Sequence, residues 1–407
     1  MCFALGGVWH LDAEVLIKPQ NPKNFQYWHG NSFGAKSLSN VEIERSEPTM
    51  KQPHLHSIDT LRGLGALVVV LYHSGKMFAA PTLAAHGYLM VDFFFVLSGF
   101  VMTYSYEGRI KGGETFRDFA FSRFARLYPL YLFTLILGAL SLAYVISEKH
   151  LWAQSGGAFW AAFGVNALTL PYFETTRLVG GGPVFPFALQ AWAVFWEFVI
   201  AFAFYFWVKN GARFAVLLWL IFAGLLYFVA MPTMRIDLGW KGDGFIIGGL
   251  RAFVGLFGGY ISAKTIKTWF DANDKARSIG LMSIAWLVIA ATFYHGVWVK
   301  SDNPYFELAM IYFGFPLLVG TICHSKIWIL NNQIINFFGK ISYSLYLMHI
   351  FLLGLGLKYL KATGTEASLG IGLVWLGIVI FLSYLVHRFV EVPARTILTA
   401  KYNSRGS

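Results

Sequence analysis

From Ser57 onward, apolar stretches of bilayer length follow one another with short polar breaks. A helix needs about 20 such residues to cross a membrane. Ten stretches qualify, at 57–78, 85–105, 128–147, 188–208, 213–230, 245–262, 278–298, 305–323, 340–360 and 369–388. A shorter apolar piece at 157–170 suits a re-entrant or interfacial segment better than a span. The runs are continuous rather than alternating, which argues against a transmembrane β-barrel. The expected fold is all-α: a polytopic membrane helical bundle with about ten transmembrane helices plus one short re-entrant or interfacial segment. The chain shows no fixed-period or inverted repeat.

Residues 1–56 break the pattern. They mix five basic residues (Lys18, Lys23, Lys36, Arg45, Lys51) with five acidic ones (Asp12, Glu14, Glu42, Glu44, Glu47). No basic region precedes an apolar core, so no signal peptide is expected. The segment reads as a poorly ordered cytoplasmic tail, with Met50 an alternative start. Residues 57–395 then form the membrane domain, and 396–407 a cytoplasmic C-terminal tail.

Charge chooses the topology. With 157–170 not crossing and the N-terminus inside, the inside loops after the first span carry 17 Lys and Arg and the outside segments 7. If 157–170 crosses, the tally becomes 11 inside and 13 outside. The positive-inside rule favours the first arrangement, with both termini cytoplasmic in a cell inner membrane. The net charge of +11 is thus a record of topology, and no nucleic-acid partner is expected.

Composition agrees. The chain is 57% hydrophobic and only 13% charged, against about 25% charged in soluble domains. Its mean hydropathy is +0.56 and 18% of its residues are aromatic. A soluble enzyme and a disordered chain are both excluded. Two cysteines, Cys2 and Cys323, rule out a disulfide framework and a cysteine zinc site, and no metal is expected.

Against this background each polar residue inside a span is a site hypothesis, because it costs at least about 2.5 kcal/mol at the helix centre. They are Arg62, His73, Asp92, Glu197, Arg251 and His349. Arg62 and His73 stand eleven residues apart, which puts them on one helical face about 16 Å apart. A cation below an imidazole suits a long anionic ligand whose reactive end enters the membrane. The plainer alternative is a snorkelling Arg with a packing His. Asp59, one turn before Arg62, makes a simple ion pair equally natural. Asp92 lies in an apolar run and needs an Arg or His partner. Arg123 and Arg126 share a helical face just before Tyr128-Pro129, where two guanidiniums can grip phosphates. Arg109, Lys111 and Arg117 read as topogenic charge. Ser342, Tyr346 and His349 form a polar stripe, serving either a site or helix–helix hydrogen bonding. Gly255 and Gly259 read as close helix packing. No nucleotide-binding loop, nucleophile elbow or HExxH motif is present.

Several segments together resemble the acyltransferase 3 family of integral membrane O-acyltransferases. Ile58-Asp59-Thr60-Leu61-Arg62-Gly63, with His73 eleven residues after Arg62, resembles the family's opening. Val91 to Phe100 resembles its second motif, and Arg123-Phe124-Ala125-Arg126-Leu127-Tyr128-Pro129 its basic motif. Ile341 to His349 resembles its Ser-Tyr-x-x-Tyr-Leu-x-His motif, and Val390 to Arg395 its closing Glu-x-Pro. One motif departs: Trp192 and Glu197 match, but Ala193 replaces the usual Ser, and Ile200-Ala201 replace Phe-Tyr. The SGNH-type extracytoplasmic domain of some members is absent from these residues, so transfer is expected to be completed by the membrane domain or by a separate protein.

The resemblance implies an acyl-CoA donor, most commonly acetyl-CoA, and a carbohydrate or glycolipid acceptor, with no permanently bound cofactor. It implies donor phosphates held by Arg123, Arg126 and Arg62. His73 is the implied general base on the acceptor hydroxyl, oriented by Asp92 or Glu197. Trp192, Ser342, Tyr346 and His349 are the implied substrate contacts. Direct transfer and an acyl-histidine intermediate both fit, and a homodimer is compatible with the chain. A transporter or flippase of a lipid-linked sugar explains the spans and buried charges equally well, but not the Arg–His pair together with Arg-x-x-Arg.

Overall fold

The computed structural model describes residues 56–179, 182–271, 280, 283, 287, 304–324 and 333–404. Residues 1–55 of the expected tail lie outside the described residues, as does nearly all of the expected span 278–298. The described residues are helical, with no strand among them. Helix α1 is His56–Ser74, α2 Met90–Lys111, α3 Phe116–Glu148 and α4 Trp152–Ala167. A single turn, α5, covers Thr176–Val179, then come α6 Ala191–Trp207, α7 Gly211–Ala230 and α8 Phe245–Asp271. After these stand α9 Pro304–Ala309, α10 Phe315–His324, α11 Gln333–Thr363, α12 Leu369–Val386 and α13 Val392–Asn403. Two π-helical turns interrupt the last part, Met310–Gly314 and His387–Glu391.

Seven helical stretches among the described residues are long and apolar enough to cross a membrane. They do not confirm a count of ten. One of them, Ala191–Thr233, holds two expected spans, and Gly211 at φ 82° breaks it into α6 and α7. Helix α1 is not among the seven; Asp59, Arg62 and His73 dilute its apolar face. The expected short segment at 157–170 lies in and just after α4, a 16-residue helix.

The basic stretch between the expected spans 85–105 and 128–147 is almost wholly helical. α2 runs to Lys111 and α3 begins at Phe116, so only Gly112 to Thr115 connect them. The Thr115 hydroxyl oxygen accepts from the Asp118 backbone N–H at 3.2 Å and its proton goes to the Asp118 carboxylate at 2.6 Å, which caps α3. At 33 residues α3 is about 50 Å long, more than the ~30 Å apolar slab, so one end extends beyond it. The C-terminal residues also continue as helix: α13 packs on α3, where the Tyr402 and Phe121 rings stack at 3.9 Å.

Two tight helix crossings place the polar residues. α2 lies along α8 at Gly99, Gly255 and Gly259. A Cβ on Gly259 would overlap the Val96 carbonyl oxygen, and one on Gly99 that of Leu256, so only glycine permits this approach. α1 lies along α11, where a Cβ on Gly63 would stand 2.7 Å from the Gly339 backbone nitrogen. That contact brings the Arg62 side chain onto the α11 backbone.

Candidate active site

The last turn of α1 presents His73, which is half-buried. Its Nδ1 lies 3.0 Å from the Val69 carbonyl oxygen, so Nδ1 carries the proton and Nε2 keeps its lone pair. α11 brings His349 beside it, with ring centroids 5.0 Å apart. His349 is buried, and its Nδ1 donates to the Tyr346 carbonyl at 2.6 Å. Its Nε2 is buried without a hydrogen-bond partner. The two imidazoles thus meet with each Nδ1 turned to a backbone carbonyl of its own helix. Tyr346 flanks His349 at 5.7 Å and donates to the Gln190 carbonyl at 3.2 Å, which ties α11 to the start of α6.

At the other end of α1 the charges are positive. Arg62 is buried, donating to Asp59 at 2.7 Å and to the Gly339 carbonyl at 3.1 Å. Ser342 donates to that same carbonyl at 2.7 Å. From α3, Arg123 reaches Glu197 at 2.9 Å, and Glu197 also accepts from Ser98 at 2.6 Å. Arg123 and Glu197 are fully buried, yet Arg123 keeps Nε and Nη1, and Glu197 keeps Oε2, without partners. Arg126 is buried with an unpartnered Nε, within electrostatic reach of Arg395, Arg62, Arg123 and Glu391. Glu391 sits in the second π-turn and accepts from Ser344 at 2.8 Å and His387 at 2.9 Å. An unmatched buried N–H costs about 1–3 kcal/mol, and an oxygen-rich anion is the kind of group that could satisfy these donors.

Asp92 is hydrogen-bonded neither to an imidazole nor to the basic cluster. Arg251 of α8 grips it with two bonds, Nε to Oδ1 at 2.8 Å and Nη2 to Oδ2 at 2.5 Å. Trp192 lies under that guanidinium, 5.7 Å from its carbon. Arg251 Nη1 donates further to the carbonyls of Ile236 and Leu238.

The structure therefore unites some expected residues and separates others. His73 and His349 meet, as do Glu197 and Arg123; the Asp59–Arg62 pair is present. Neither Asp92 nor Glu197 is hydrogen-bonded to His73, whose ring is held by its own helix backbone. Ser342 and Trp192 serve contacts within the bundle. At the departing motif positions Ala193, Ile200 and Ala201 are simply buried core. Sequence reasoning missed Glu307, buried in the first turn of α9 and accepting from Tyr88, whose oxygen lies 3.2 Å from His86 Nδ1. It also missed Glu391 and Arg395, although the Glu-x-Pro segment pointed to them. No group of metal-ligating side chains occurs among the described residues.

Comparisons with known proteins bear on the family. A family model described as an acyltransferase domain matches residues 55–388. A picA-locus protein of Rhizobium radiobacter is 35% identical over 153 residues, 35% of this chain and 76% of that protein. The acyltransferase MdmB of Streptomyces mycarofaciens is 25% identical over 84% of this chain and 92% of its own. A Staphylococcus aureus (strain COL) protein bearing an O-acetyltransferase name is 22% identical over 85% of this chain, which spans 58% of that relative's length. No solved structure matches. Since the match runs from the start of α1 to the second π-turn and so encloses the imidazole pair, Arg123, Arg126 and the Asp92–Arg251 pair, the chain belongs to the acyltransferase 3 family.

Proposed function

We propose that the protein is a membrane O-acyltransferase that moves an acyl group, acetyl in the first instance, from cytoplasmic acyl-CoA to a hydroxyl of a carbohydrate such as an exopolysaccharide, lipopolysaccharide or lipid-linked glycan. One observation carries this reading. Helix α1 carries Arg62 near one end and His73 about 16 Å along its axis; Arg62 is within electrostatic reach of Arg126 of α3, whose Nε is unmatched like two nitrogens of Arg123, and His73 meets His349. A donor with phosphates at one end and a thioester at the end of a long arm fits that span. Arg123 and Arg126 bind the phosphates, with Arg395 and Arg62 adding charge. Arg62 is already engaged by Asp59 and the Gly339 carbonyl, so it acts by charge more than by contact.

The chemistry follows from the tautomers. His73 Nε2 takes the proton of the acceptor hydroxyl as its oxygen attacks the thioester carbonyl carbon. The new C–O ester bond forms, the C–S bond breaks, and the proton passes to the departing CoA sulfur. The Val69 carbonyl and the neighbouring His349 ring fix the orientation of the His73 imidazole. With the basic ends cytoplasmic by the positive-inside rule, the donor enters from the cytoplasm of a bacterial inner membrane.

Purified full-length protein supplied with labelled acetyl-CoA tests this. Wild type is expected to release CoA thiol and to label the host's glycan fraction. His73→Ala is expected to insert normally and transfer nothing. Normal transfer by that variant would overturn the assignment, and a wild-type protein lacking both activities would instead favour transport.

A further inference from the structure

The Asp92–Arg251 pair is buried, bidentate and hydrogen-bonded to neither imidazole. Its third nitrogen is committed elsewhere: Nη1 donates to the carbonyls of Ile236 at 2.9 Å and Leu238 at 2.6 Å. Those carbonyls flank Asp237. A charge pair inside the bundle thus pins one short stretch of the irregular segment between α7 and α8, with Asp237 at its centre. Asp237 is half-buried, and its Oδ2 accepts from the Tyr72 hydroxyl at 3.2 Å. Tyr72 precedes His73, and their rings meet edge to face at 4.8 Å. Beside His73, with ring centroids 5.0 Å apart, stands His349 with its buried, unpartnered Nε2. A carboxylate pinned from behind, a tyrosine and two imidazoles with free nitrogens therefore converge at the His73 end of α1.

We propose that Asp237 is a hydroxyl-binding residue of the acceptor subsite, taking a hydrogen bond from a hydroxyl neighbouring the one that reacts on a polyhydroxylated acceptor. The Asp92–Arg251 pair is then its positioning device, and Tyr72 fixes one carboxylate oxygen while the other faces the acceptor. The inference rests on the O-acyltransferase reading above. The chemistry selects acceptor over donor. Hydroxyls donate to a carboxylate in charge-assisted bonds about twice as strong as neutral ones. Coenzyme A phosphates are repelled by the same charge, and a thioester offers no donor to it. A half-buried carboxylate exchanges water for a hydroxyl at little desolvation cost, unlike Asp92 and Glu197, which are sealed in.

The test uses membranes of the native host, deleted for its chromosomal copy and expressing the full chain, with radiolabelled acetyl-CoA. Label transferred to glycan is read over a series of acetyl-CoA concentrations and of added glycan fraction, which gives an apparent KM for each substrate. Asp237→Asn is expected to raise the apparent KM for the glycan about ten-fold and to leave that for acetyl-CoA unchanged, the loss of one charged hydrogen bond. Asp237→Glu is expected to restore part of it. Tyr72→Phe leaves the charge but frees the carboxylate, and is expected to raise the glycan KM less; it carries the test if the asparagine variant does not accumulate. An unchanged glycan KM in both variants overturns the proposal. So does a fall in maximal rate with both KM values unchanged, which would assign Asp237 to the chemistry of His73. Wild-type membranes showing no transfer would overturn the acyltransferase reading itself, and the subsite with it.

Discussion

Arg123 and Arg126 are the residues whose chemistry is least explained by folding. A buried guanidinium ordinarily satisfies its N–H groups, yet here three nitrogens across the two residues have no partner. If phosphate oxygens complete them, Arg126→Ala should raise the KM for acetyl-CoA about ten-fold with kcat less affected, since a charge-assisted hydrogen bond is worth about 1.5–3 kcal/mol. Unchanged donor kinetics would remove the phosphate role. Arg251 predicts the opposite behaviour. Arg251→Ala strands the Asp92 carboxylate in the bundle and should destabilise the protein by about 3–5 kcal/mol, read as a lowered Tm in detergent. The double variant Asp92→Ala/Arg251→Ala should recover part of that loss, because no buried charge is left alone. At this scale the sequence was informative wherever burial is expensive. Arg62, His73, Asp92, Glu197 and His349 stood out in apolar runs, and all but His73 are buried. Partners were harder: Asp92 demanded a cation, but only the fold chose Arg251, 159 positions away. Asp237 gave no signal, since an acid in a loop is ordinary until a buried arginine is found holding its backbone.

At the scale of helices, the apolar stretches foretold where helices lie better than where they end. A hydropathy boundary falls where charge appears, whereas a helix ends where its backbone finds a cap. So α3 starts at Phe116 behind Thr115, twelve residues before the apolar stretch at 128–147. That early start is why Arg123 and Arg126 are held rigidly, on a helix rather than a loop. Glycine spacing was more reliable, because close approach needs it whatever the helix bounds. The α2–α8 crossing makes that quantitative. Gly259→Ala puts a Cβ onto the Val96 carbonyl oxygen and should lower stability by about 1–3 kcal/mol. Gly354→Ala, in the interior of α11 with open space at its Cβ, should instead be neutral or stabilising by up to about 1 kcal/mol. Melting curves of the two purified variants check the contrast; equal shifts would mean that packing at the crossing is not what Gly259 secures.

For the whole molecule the decisive property is sidedness. Counted over the ten expected spans, the Lys and Arg asymmetry of 17 against 7 supports the proposal that the end of the bundle where Arg123, Arg126 and Arg395 cluster is cytoplasmic. The imidazole pair and Asp237 lie toward the opposite end of α1. The proposed acyl-CoA donor is a charged nucleotide that cannot cross the bilayer unaided, so on this reading it enters from the cytoplasmic face. Inverted membrane vesicles, with the cytoplasmic face outward, should therefore release thiol from externally added acetyl-CoA. Right-side-out vesicles should do so only after permeabilisation, and Arg126→Ala should weaken the inverted-vesicle rate most at low donor concentration. Equal rates in intact vesicles of both orientations would contradict the assigned topology. They would also separate the basic cluster from the donor, because a site open to both faces has no need of an arginine cluster at one of them.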